Sequence, residues 1–241
     1  MNNHNKTALV IGGKGGIGEA AVRRLSKDGF NVYATYFNKP LKQKIENINY
    51  IKCDVTIDQN IKNMIDVVTR KNNSIDVIVF SITPPIKNIS VLDLKSNDVD
   101  QHFQIQVMSL IKIISLLKEQ FKKKHKTKII VVLTEYCIGK PPKGLAPYII
   151  GKSALLGLSR VLAVELAEYN STVNMLSPGM VDTKLIENLP PKLIEMTAYQ
   201  NPLKRIATTT DIAKVVSFLA SEESDYINGV NIPVNGGNII L

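Results

Sequence analysis

The sequence predicts an α/β protein, a doubly wound parallel sheet with helices on both faces. Three observations carry this. Short apolar runs alternate with longer segments of helical period. Runs such as Val77-Ile-Val-Phe80 and Ile129-Ile-Val-Val-Leu133 are apolar without alternation, as strands buried on both faces must be. A glycine-rich turn joins the first run to the first helical segment.

Taken in order, residues 7–11 read as the first strand and 16–27 as a helix closed by Asp28-Gly29. Strands follow at 31–36 and 48–53, a helix at 57–70 and a fourth strand at 75–81. One long helix is expected over 99–121, because Val99, Phe103, Val107, Leu110, Ile114, Leu117 and Phe121 recur at steps of three and four. A fifth strand covers 128–134, a second long helix 148–169, and a sixth strand 172–176. A late helix at 211–220 and a strand at 230–234 complete the series. The Pro-containing stretch at about 183–205 interrupts the alternation and suits a lid over the strand ends.

The 241 residues, 44% hydrophobic, suit one domain over 1–241. Residues 1–6 read as a loose polar arm without the apolar stretch of a secretory signal, and no apolar run suggests a membrane span. Cys53 and Cys137 have no metal-like spacing and form no disulfide framework; no metal is expected, and a reducing cytoplasm fits. The formal charge is +9, which can favour acidic partners. No nucleic-acid motif accompanies it and aromatics are only 6%, so nucleic acid is not expected.

The glycine turn reads Gly12-Gly13-Lys14-Gly15-Gly16-Ile17-Gly18. Glycines there let the backbone approach a pyrophosphate, and the next helix offers its N-terminal amides to that charge. Tyr148 and Lys152 stand at i and i+4, on one helix face. An ammonium beside a phenol lowers the phenol's pKa, and a phenol so tuned can exchange a proton with a carbonyl oxygen.

These segments together resemble the short-chain dehydrogenase/reductase family, a Rossmann-like fold, over nearly the full length. The glycine turn resembles the family's TGxxxGIG loop, with Ile11 in place of Thr. Residues 148–166 resemble its active-site helix. Cys53-Asp54-Val55 resembles its adenine-contacting turn, and Pro178-Gly179-Met180-Val181-Asp182-Thr183 its nicotinamide-side motif. Asp211-Ile-Ala, Tyr226-Ile-Asn-Gly229 and Val234-Asn-Gly-Gly237 resemble its C-terminal signature. The resemblance implies Tyr148 as general acid/base and Lys152 as the group that binds the nicotinamide ribose and tunes Tyr148. It implies dinucleotide contacts at Gly12, Lys14, Gly16, Ile17, Gly18, Tyr36, Lys39, Asp54, Val55, Ser81, Ile82, Pro178, Gly179, Val181 and Thr183.

Three positions depart from the family. Its NNAG motif reads Phe80-Ser81-Ile82-Thr83 here. Its catalytic Asn aligns with Gln106, one methylene longer. Its catalytic Ser, usually 13 residues before the Tyr, aligns with Glu135, and Thr134 precedes it. An ionised carboxylate cannot donate the hydrogen bond that Ser gives. Thr134 can, but neighbouring strand residues point to opposite faces, so a bulge or shifted alignment is needed.

The end of the second strand carries Tyr36 where NAD-preferring members have an acid, and Lys14 and Lys39 can attract a 2′-phosphate. NADP(H) is therefore expected ahead of NAD(H). The expected substrate is a small carbonyl, a secondary alcohol or an acyl thioester. The alternative is a nucleotide-binding protein of this fold with reduced or lost catalysis. The basic run Lys122-Lys-Lys-His-Lys-Thr-Lys128 reads as a solvated helix end or as a dock for acyl carrier protein. The resemblance also implies a homo-oligomer, a tetramer packed through the two long helices.

Overall fold

The computed structural model describes residues 6–38 and 47–240. The seven strands are β1 (Thr7–Ile11), β2 (Asn31–Tyr36), β3 (Ile48–Lys52), β4 (Val77–Phe80), β5 (Lys128–Val132), β6 (Thr172–Pro178) and β7 (Asn231–Val234). They form one sheet in the order β3-β2-β1-β4-β5-β6-β7, every neighbouring pair parallel. The strand order reverses between β1 and β4, so a crevice opens there at the strands' C-terminal ends.

Helices cover both faces. Alternate residues of β1 divide between them. Leu9 and Ile11 pack with Ile61 and Met64 of α2 (Asp58–Asn72) and with Leu155 of α6 (Ala146–Glu165). Ala8 and Val10 pack with Val22 and Leu25 of α1 (Gly16–Lys27) and with Ile212 and Val216 of α8 (Thr209–Ala220). Both sets are fully buried, which is why these strands lack alternation. Each such Val, Leu or Ile contributes ~1.5–3 kcal/mol, more than a helix cap's ~1 kcal/mol. Packing therefore holds α1 and α2, which have no side-chain cap.

The expected long helix over 99–121 is instead segmented. It comprises α3 (Ser96–Phe103), a π-helical turn (Gln104–Met108), α4 (Ser109–Leu116) and α5 (Lys118–Lys122). Apolar spacing cannot reveal the extra residue of a π turn, since the pattern shifts by only one position. The turn carries Gln106, fully buried, against α6: a Cβ on Gly151 would stand 2.4 Å from Gln106 Oε1. The 183–205 stretch contains a 3-10 turn (Lys184–Ile186) and α7 (Pro191–Gln200).

Residues 1–5 of the expected arm lie outside the described residues. Lys6 is held: its carbonyl accepts from Asn31 N at 2.9 Å and its ammonium pairs with Glu222 at 2.7 Å. Contrary to the sequence reading, one helix, α6, is long and apolar enough to cross a membrane by length and composition. It nevertheless buries Tyr148, Lys152, Leu155 and Leu162 inside the protein, as a core helix does.

Candidate active site

The glycine turn is shaped by close approaches of backbone to backbone. Gly12 has φ 84° and donates its N–H to Thr35 Oγ1 at 2.9 Å. A Cβ on Gly18 would lie 2.1 Å from the Gly12 carbonyl oxygen, and one on Gly16 2.5 Å from Thr183 Cγ2. Gly15 differs, since a Cβ there meets nothing nearer than 3.5 Å. Gly15 is the N-cap of α1 and offers no side chain to the first-turn amides, which face outward at the positive end of the helix.

These residues wall a cleft of about 350 Å³ at the C-terminal ends of β1, β2, β4 and β5. Of the expected contacts, Gly12, Lys14, Gly16, Ile17, Gly18, Tyr36, Ser81, Ile82, Tyr148, Lys152 and Thr183 line it. Thr35, Phe37, Thr83, Lys184 and Leu185 line it too. Its described lining holds three lysines, Lys14, Lys152 and Lys184, and no carboxylate.

Other expected contacts lie elsewhere. Lys39 is outside the described residues. Asp54 caps the turn after β3, its Oδ1 accepting from Thr56 N at 2.9 Å and Thr56 Oγ1 at 2.7 Å. Val55 packs against the core. Pro178 ends β6 and Val181 is buried beneath Ile212 and Val216. Gly179 faces a second cavity of about 360 Å³.

At the inner end of the cleft, α6 presents Tyr148 and Lys152, both buried. Lys152 Nζ donates to the carbonyls of Val132 at 2.7 Å and Ile82 at 3.4 Å. Burial pushes its pKa down to about 8. The Tyr148 phenol is pushed up to about 12, foremost by burial, against a hydrogen bond with the Thr134 hydroxyl that pulls downward. The expected depression of the phenol is thus reversed by desolvation, and the Lys152 ammonium is spent on two carbonyls. A phenol so held keeps its proton at neutral pH.

Thr134 and Glu135 resolve the ambiguous position before α6. β5 stops at Val132, and a 3-10 turn over Glu135–Cys137 begins three residues later with Thr134 as its N-cap. That turn puts the Thr134 hydroxyl at Tyr148. Glu135 is equally buried but faces the second cavity, where its Oε2 accepts from Asn238 Nδ2 at 3.1 Å. Glu135 therefore does not stand at the phenol; Thr134, 14 residues before Tyr148, does. Gln106 Nε2 donates to Thr83 Oγ1 at 2.9 Å, at the cleft wall.

Sequence reasoning passed over Thr35, near the end of β2, Lys184, on the loop after β6, and His102, which packs edge-on to Tyr148 at 6.2 Å between ring centroids, and it named Thr83 only as part of an altered motif. The basic run lies at the far end of the sheet. Lys128 opens β5, whereas the cleft touches Val132 at its close. Several of its charges are spent locally, Lys122 on Glu119, His125 on Asp76, and Lys126 and Lys128 on Asp225. Both cysteines are free, and burial pushes the Cys53 thiol up to about 11.

Residues 11–238 match the family model described as enoyl-(acyl carrier protein) reductase. A 3-oxoacyl-[acyl-carrier-protein] reductase of Staphylococcus epidermidis is 31% identical over 97% of this chain and 98% of its own. A tropinone reductase-like protein of Erythroxylum coca is 30% identical over 96% of this chain and 92% of its own. A solved short chain dehydrogenase family protein from Francisella tularensis superposes with a TM-score of 0.84 at 30% identity, covering 97% of this chain and 98% of the other. The family model and these relatives match along nearly the full length, and the chain is an oxidoreductase of the short-chain dehydrogenase/reductase family.

Proposed function

We propose that this chain is an NADP(H)-dependent reductase of a carbonyl group, with a 3-oxoacyl thioester as substrate class, acting as one domain with residues 183–205 as its lid. The observation that carries the reading is the pairing of two hydroxyls, Thr134 and Tyr148, at the inner end of a cleft whose outer wall suits a dinucleotide.

The cleft fits that cofactor. Uncapped first-turn amides of α1 and the bare backbone of Gly15 suit a pyrophosphate. Lys14 and Lys184, in a lining without a carboxylate, favour NADP(H) over NAD(H), since an added 2′-phosphate meets attraction and no repulsion. When bound, the dinucleotide supplies the hydride. Lys152 orients the ribose. The Thr134 hydroxyl donates to the substrate oxygen, and Tyr148 delivers its proton to that oxygen as negative charge builds. Thr134 and Tyr148 are both nine-tenths buried or more, so their hydrogen bonds act where water competes poorly. The alternative, a binding protein without chemistry, drew on the altered Ser, Asn and NNAG positions together, and the Thr134 hydroxyl answers the first of these.

The substrate class follows the activity for which the staphylococcal relative is named, a 3-oxoacyl thioester reduction; the plant relative of similar identity is named for a different ketone. For a carrier-bound substrate, the cations at the correct end of the sheet are Lys87, Lys140, Lys143 and Lys184, on loops after β4, β5 and β6. Exposed apolar side chains on α4 and α6, Ile111, Leu116, Val161 and Val164, support a homo-oligomer, for which we propose a tetramer. We place the enzyme in the cytoplasm, where its two free thiols stay reduced. The test is oxidation of NADPH and of NADH over a panel of ketones and 3-oxoacyl thioesters, with calorimetric titration of both dinucleotides. Faster turnover of NADPH with a thioester is expected. Tighter NADH binding refutes the cofactor choice, and turnover of simple ketones alone refutes the thioester.

A further inference from the structure

His102 is buried at the C-terminal end of α3, 3% exposed, a place where an ionisable ring is costly without a task. Its Nδ1 has no hydrogen-bond partner among the described residues. Four residues on, Gln106 Oε1 is likewise buried and without a partner. Leaving two buried polar atoms unsatisfied is costly, so the native state has reason to join them. The two side chains interact, and both lie against α6. A Cβ on Gly151 would come 3.0 Å from His102 Cβ and 2.4 Å from Gln106 Oε1. Only glycine at 151 lets this corner close.

With Gln106 Nε2 donating to Thr83 Oγ1, one arrangement of donors and acceptors satisfies both side chains. Gln106 Nε2 already donates to Thr83 Oγ1, which fixes Oε1 as the end that faces His102. Oε1 can only accept, so the proton of His102 must sit on Nδ1. Thr83, having accepted from Gln106, keeps its own proton for the cleft it lines.

We propose that His102 is a positioning residue of this active site, its Nδ1–H held to Gln106 Oε1 directly or through one water, so that His102, Gln106 and Thr83 form a chain of donors aimed into the cleft. The chain orients the Thr83 hydroxyl beside the carbonyl of Ile82, to which Lys152 donates, and the ring edge backs the Tyr148 phenol. Burial and the facing ammonium of Lys152 keep the ring neutral. Tyr148 also faces it from α6, and Gln106 from the π turn. The assignment deepens the reductase reading and rests on it for its kinetic consequence, though not for the hydrogen bond itself.

The bond is tested on the wild-type protein by nitrogen-15 NMR of the histidine rings. The chain has three histidines, so His102 is assignable by substitution of the other two. The Nδ1–H tautomer is expected, and the Nε2–H tautomer overturns the proposal. Kinetics test the role. His102→Leu, of similar volume, should lose about tenfold in kcat with the KM for NADPH nearly unchanged, the scale of one hydrogen bond. His102→Asn, which keeps a donor near Nδ1, should recover most of it. His102→Leu with Gln106→Leu should be no worse than Gln106→Leu alone. A His102→Leu enzyme at wild-type kcat, an Asn variant as poor as Leu, or additive losses each overturn it. If the wild type turns over none of the substrate panel, the reductase reading fails, while the ring tautomer still decides the hydrogen bond.

Discussion

The two walls of the cleft are built on different principles. On the dinucleotide side the constraint is room beside the backbone: a Cβ on Gly12 or Gly18 would meet backbone oxygens at 2.5 and 2.1 Å, and one on Gly16 the Thr183 side chain at 2.5 Å. On the catalytic side the constraint is side chain to side chain, through Thr134, Tyr148, Gln106 and His102, and it tolerates unusual residues as long as donors and acceptors match. A backbone cradle is sensitive to the added atom, whereas a side-chain network is sensitive to the lost donor.

The largest effect expected is on the catalytic wall. Tyr148→Phe removes the proton donor and little else, since the ring remains to pack against His102. Turnover should fall by ~10²–10⁴, the usual contribution of general acid catalysis, while NADPH titrates as before. Stopped-flow turnover beside calorimetry checks both halves. Parallel loss of binding would mean that the two walls are not separable.

Next is the pair before α6. Thr134→Val deletes the hydroxyl at Tyr148 and should cost ~10²-fold in kcat, the scale of one donor to a developing oxyanion. Thr134→Ser should stay near wild type. Glu135→Gln keeps the contact with Asn238 and should change kcat by less than about twofold, a fraction of one hydrogen bond. The reverse ranking would return the catalytic position to Glu135.

This pair marks how far the fold and site were legible in sequence. The sheet and its helices were, because strands buried on both faces and helices buried on one leave different periods. The glycine turn was legible because a backbone that must pass within van der Waals distance accepts only glycine, at fixed spacing. The Thr134 position was not. Thr134 stands 14 residues before Tyr148 rather than 13, and a one-residue shift sends a side chain to the opposite side. The π turn was hidden for the same reason, and with it the meeting of Gln106, His102 and Gly151. Desolvation of Tyr148 needs burial, which spacing alone cannot rank against a neighbouring charge.

On the dinucleotide wall the glycines should separate among themselves. Gly18→Ala forces a methyl against the Gly12 carbonyl oxygen, 2.1 Å away, and that oxygen belongs to backbone that cannot swing aside. Overpacking of this kind costs ~1–3 kcal/mol, so NADPH affinity should weaken by roughly 5–150-fold. Gly15→Ala, whose methyl meets nothing nearer than 3.5 Å, should bind within about threefold of wild type by the same energetics. Calorimetric titration of the two variants decides it. Equal damage would show that the loop needs flexibility rather than room.

The smallest effect is expected from the most conspicuous charge in the sequence. Lys122, Lys123 and Lys124 close α5 and precede β5, at the end of the sheet away from the cleft. A five-residue strand at ~3.3 Å per residue separates them from Val132, more than the ~10 Å over which exposed charges act at 0.1 M salt. Replacing all three with Glu should therefore leave kcat/KM unchanged for a carrier-bound thioester and a small thioester alike. Replacing Lys140, Lys143 and Lys184 with Glu should lower it for the carrier-bound substrate alone, and less so as salt rises. These lysines stand on the loops after β5 and β6, at the end of the sheet where the cleft opens, and Lys184 lines the cleft. Steady-state assays of both substrates across a salt series measure the difference. Loss confined to the carrier-bound substrate in the first triple variant would mean that an acidic carrier reaches around the sheet, and the comparison would then run between two faces of the molecule rather than two walls of one cleft.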